Sequence, residues 1–71
     1  MERQEILKKL AEVFVDNMRT ARKLKINGYD ELSQQSYHQA LGVQESAEAL
    51  GFDLEEFNEA VKEARKAIRR A

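Results

Sequence analysis

A chain of 71 residues, 35% of them charged, with a formal net charge of −1 and neither cysteine nor proline, describes one domain, 1–71, with a modest core. His38 is the only histidine, so a disulfide framework and a Cys/His zinc site are both excluded, and a deep substrate cavity has no room beside the core. No stretch approaches the roughly 20 apolar residues of a membrane span, and Met1-Glu2-Arg3-Gln4-Glu5 lacks the basic-then-apolar start of a signal peptide, so a cytoplasmic protein is expected.

The first predicted element is a helix over about 3–26. Leu7, Leu10, Ala11, Phe14, Met18 and Ala21 fall on one face at 100° per residue, with Lys9, Glu12, Asp16, Arg19 and Lys23 opposite. Ile6, Val13 and Leu24 widen the apolar face to one side. A first helix that touches two others needs such width, and a seam between two copies of the chain is the other use for it. Asn27-Gly28 ends the segment, because glycine enters the left-handed region without a Cβ clash.

The second helix is expected over about 30–50, with Asp30 as its cap. Leu32, Ser36, Ala40, Val43, Ala47 and Leu50 repeat at spacings of three or four and mark its inner face, with Tyr29, Tyr37 and Leu41 beside it. Gly42 costs about 1 kcal/mol relative to alanine. A break there is the alternative, but the apolar register crosses the glycine without a phase shift, which favours one helix.

The third start is the clearest local signal. Asp53 with Glu56 three residues on is a capping box, Phe52 and Phe57 sit at the positions of a hydrophobic staple, and Gly51 closes the helix before. The third helix is expected over about 53–70, and a heptad seam runs through Leu54, Phe57, Val61, Ala64, Ile68 and Ala71. Helices of roughly 36, 31 and 27 Å at about 1.5 Å per residue, joined by short turns, make a small all-α up-down-up three-helix bundle.

Charge is unevenly laid out. Between Ile26 and Val61 there is no lysine or arginine, but eight carboxylates: Asp30, Glu31, Glu45, Glu48, Asp53, Glu55, Glu56 and Glu59. Arg19, Arg22, Lys23 and Lys25 form one basic cluster, and Lys62, Arg65, Lys66, Arg69 and Arg70 another. An up-down-up topology brings the two basic clusters to one end, while the acidic residues fall on the second helix and the other end.

These patterns point away from catalysis and towards binding. His38 has Glu31 and Glu45 on its helix but no nucleophile or metal partner, and the Glu-x-x-His of di-iron bundles fails at Gln35. No catalytic, cofactor or metal residue is expected. A helix-turn-helix centred on Gly42 fails too, since its recognition helix would carry Glu45 and Glu48 and no cation. The neutral run 33–39 and its acidic neighbours suggest a contact surface made of Glu31, Gln34, Gln35, Tyr37, His38, Glu45 and Glu48. The leading expectation is a non-enzymatic adaptor, inhibitor or regulator binding a protein partner, basic in character, through that face.

The alternative is an accessory nucleic-acid binder using Arg19, Arg22, Lys23, Lys25, Arg65, Lys66, Arg69 and Arg70, against which stand the lack of interleaved aromatics and the slightly negative net charge. A designed or excised module without its own activity is the third reading, and a homodimer stays open. A membrane surface is not an expected partner, because Glu5, Glu12 and Asp16 on the first helix repel anionic lipid.

Overall fold

The computed structural model describes residues 2–70, and the side chains of residues 2–69. Three helices follow one another: α1, Arg3–Ile26; α2, Asp30–Ala49; and α3, Leu54–Arg70. Each boundary lies within one residue of the sequence expectation, and α2 runs unbroken through Gly42.

The same backbone device closes both turns. Gly28 and Gly51 adopt φ of 85° and 91°. At the first turn the amides of Gly28 and Tyr29 donate to the carbonyls of Lys25 and Leu24; at the second those of Gly51 and Phe52 donate to Glu48 and Ala47. Both are Schellman closures, which satisfy carbonyls that the helix end would leave orphaned. The N-termini differ. Asp53 Oδ1 accepts the Glu56 amide at 2.7 Å, and Glu56 Oε1 accepts the Asp53 amide at 3.3 Å, completing the capping box. Asp30, expected to cap α2, is instead its first helical residue. Tyr29 holds the cap position and no side chain bonds the helix end there.

Helix α1 packs against both α2 and α3, whereas α2 and α3 hardly touch. Leu7, Ala11 and Val15 of α1, Ala47 of α2 and Phe52, Phe57, Val61 and Ala64 form the buried core. Phe14 meets Phe57 edge to face with centroids 5.2 Å apart. The bundle is therefore open on one side. Its radius of gyration is 12.6 Å, against about 11 Å for a compact chain of this length. Its accessible surface is 5478 Å², against roughly 4,500 Å² for a typical monomer of this mass.

Several inward assignments are corrected by the packing. Val15, absent from the expected α1 face, is buried at 2% exposure. On α2 the inner face is turned towards Ser33, Ala40 and Ala47, leaving Leu32 and Leu50 about half exposed. Buried Ser33 is satisfied by donating its hydroxyl to the Ala21 carbonyl at 2.7 Å. At the start of α3, Leu54 is exposed while Phe57, Val61 and Ala64 carry the seam; Ala71 lies outside the described residues. The cause is common to both helices. Small residues on α2 let α1 approach closely along the Ser33–Ala40–Ala47 line, and α3 then leans on α1 rather than on α2.

Candidate interaction surfaces

Because α3 covers almost none of α2, most of that helix faces solvent. Glu31, Gln34, Gln35, Tyr37, His38, Glu45 and Glu48 are all exposed. Six of them share one flank; Gln35 is set off at the helical angle opposite Tyr37 and belongs to the other side. The rings of Tyr37 and His38 meet at 64°, with centroids 6.2 Å apart. Among the described residues the ion pairs are Arg3–Glu56, Lys62–Glu59 and Lys66–Glu63, so Glu31, Glu45 and Glu48 carry charge that no described cation offsets at close range.

Helices α1 and α3 run parallel. Arg3 lies at the start of α3, its guanidinium 4.1 Å from the Phe52 ring centroid and 3.3 Å from Glu56 Oε1, and the far halves meet at the basic end. There Arg19, Arg22, Arg65 and Arg69 line one open depression floored by Val15, Met18 and Ile68. A second depression, between α1 and α2, is lined by Met18, Arg22, Lys25, Asp30, Gln34 and Tyr37, among others. The two share Met18 and Arg22, so they form one cleft with α1 as its floor. Lys23 and Lys66 are exposed outside it, and Lys66 is paired with Glu63 at 3.5 Å. The Arg70 side chain lies outside the described part.

One expectation changes here. An aromatic side chain does accompany the basic end, because the turn at Gly28 folds Tyr37 back beside Arg22 and Lys25. Sequence separation concealed this; the antiparallel register of α1 and α2 supplied it. The opposite end is acidic, with Asp53, Glu55, Glu56, Glu59 and Glu63 around another depression. The charge separation therefore runs along α3.

Among the described residues no three His, Cys, Asp or Glu side chains gather to hold a metal ion, and no helix is long and apolar enough to cross a membrane. What fold and surfaces define is a class: a small, open, three-helix protein with an acidic helix face and a basic cleft. No family model, no curated protein and no solved structure matches the chain.

Proposed function

We propose that the protein is a non-enzymatic interaction module that binds a basic protein partner through the outer flank of α2, acting as an adaptor, inhibitor or regulator in the cytoplasm. One observation carries this reading: Glu31, Glu45 and Glu48 stand exposed beside Tyr37 and His38, with no ion pair among the described residues, on a helix that α3 leaves uncovered. Tyrosine supplies contact area at small entropic cost, and unpaired carboxylates steer and orient a cationic partner.

The test is retention of a basic protein from lysate by immobilised chain. The wild type and a Glu55→Lys/Glu59→Lys control retain it, and Glu45→Lys/Glu48→Lys releases it. Equal retention by both charge-reversed variants sinks the assignment to α2.

A second reading rests on the cleft, where four arginines converge and Tyr37 stands on the facing wall. The macrodipole favours cations only within the last helical turn, and Arg19 lies two turns before the end of α1, so that effect does not account for it. A single strand of nucleic acid suits such a groove, its phosphates meeting arginine and a base stacking on tyrosine. Fluorescence anisotropy with mixed-sequence oligonucleotides at low and moderate salt decides it. Salt-sensitive binding lost in Arg65→Ala/Arg69→Ala supports this reading, and a flat titration at low salt removes it.

A further inference from the structure

The flank of the α1/α2 pair turned away from the cleft carries no charge. The Ser33–Ala21 hydrogen bond and the short turn at Gly28 set the register of the two antiparallel helices, so that Leu24 stands within about one helical turn of Leu32, Val13 of Val43, and Ile6 of Leu50. Met18, Arg22, Gln34 and Tyr37 mark the side facing the cleft. Helical geometry then puts Ile6, Leu10, Val13, Asn17 and Leu24 of α1 on the opposite flank. From α2 the same flank receives Leu32, Gln35, Gln39, Val43, Ser46 and Leu50. None of these is charged, in a chain where 35% of residues are. Lys9 and Glu31 stand on its rims, and Arg3 closes its end beside Gly51. Val13, Leu32 and Leu50 are 48%, 49% and 57% exposed, one at each level or beside it. A solvated helix face in this protein looks different: the outer side of α3 carries Glu55, Glu59, Lys62 and Lys66.

We propose that this face is the interface of a homodimer, in which the α1/α2 pairs of two copies stack into a four-helix layer with each α3 outside. The depletion of charge with a charged rim is the composition of an interface core. A surface without charge has no sign by which to select a charged partner, and it matches itself. A twofold axis parallel to the helices lays α1 of one copy on α2 of the other, antiparallel and level by level. Val13 then comes over Gly42, beside which the single chain has only open space within 4 Å of a Cβ position. Two helices about 30 Å long and about 10 Å apart present roughly 600 Å² per copy, so the pair buries about 1,200 Å², the lower bound for a specific interface.

Sedimentation equilibrium from micromolar to millimolar concentration tests the proposal. The wild type is expected to be a concentration-dependent dimer. Val13→Glu and Leu32→Glu each place two carboxylates in the apolar seam and raise the dissociation constant at least about 100-fold. Both positions are half exposed in the single chain, so far-ultraviolet circular dichroism of the two variants below the dissociation constant stays helical. Three results overturn the proposal: a wild type monomeric throughout the range, a dimer undisturbed in both variants, or a dimer dissolved by Arg65→Glu/Arg69→Glu instead. None of them bears on the partner face of α2, which the retention experiment tests separately.

Discussion

The two turns of this protein are built alike and anchored differently. Each has a glycine with φ near 90° and the same pair of backbone hydrogen bonds, and each is followed by an aromatic residue. After Gly51 that residue, Phe52, is 4% exposed, lies under the Arg3 guanidinium and belongs to the core. Arg3 also donates to the Gly51 carbonyl at 2.9 Å, tying the start of α1 to this turn. After Gly28 the corresponding Tyr29 is 57% exposed and holds nothing down. Local chemistry thus shapes a turn, and tertiary burial decides how much stability depends on it. The open end of the molecule, with its cleft, lies at the loosely anchored turn.

The largest expected effect follows from this contrast. Phe52→Ala is predicted to cost about 3–5 kcal/mol, on the order of the whole stability of so small a domain, leaving the chain largely unfolded by circular dichroism. Tyr29→Ala should shift the urea midpoint by no more than about 0.5 kcal/mol equivalent. Similar losses from both variants would break the comparison. The two glycines should behave alike, since the strain is local. Gly28→Ala and Gly51→Ala are each expected to cost about 1–2 kcal/mol in urea unfolding, through the left-handed backbone, and a large inequality would show that anchoring reaches into the backbone itself.

Smaller effects sharpen the picture at the helix starts. Asp53→Ala removes a formed cap and should cost about 1 kcal/mol. Asp30→Ala removes only a favourable charge at a helix N-terminus, worth about 0.3–1 kcal/mol at low ionic strength and less in salt. Thermal unfolding at two salt concentrations separates the two, since only the second loss fades. Gly42 lies inside a helix and needs no unusual backbone. Its replacement by alanine should raise the urea midpoint by about 0.5–1 kcal/mol equivalent, the reverse in sign of the turn glycines.

Residue type and spacing alone determined the three helices, both glycine stops, the continuity of α2 through Gly42 and the capping box with its buried Phe52 and Phe57. These signals are local: a cap, a staple and a left-handed glycine act within six residues, and the 3.6-residue period marks a face whatever lies against it. The convergence of Arg19 and Arg22 with Arg65 and Arg69 was also legible, because short turns force neighbouring helices antiparallel and bring the ends of the first and third together. Only the tertiary structure decided which part of a broad apolar face goes inward. It chose Val15 on α1 and the Ser33–Ala40–Ala47 line on α2 over Leu32 and Leu50, because close approach of two helices rewards small side chains at the contact, and periodicity marks a broad face without ranking the positions within it. It also decided that α3 leans on α1 and hardly touches α2, which leaves the outer side of α2 uncovered and puts Tyr37 beside the basic cleft. That choice depends on packing among residues far apart in the chain, and no local pattern encodes it.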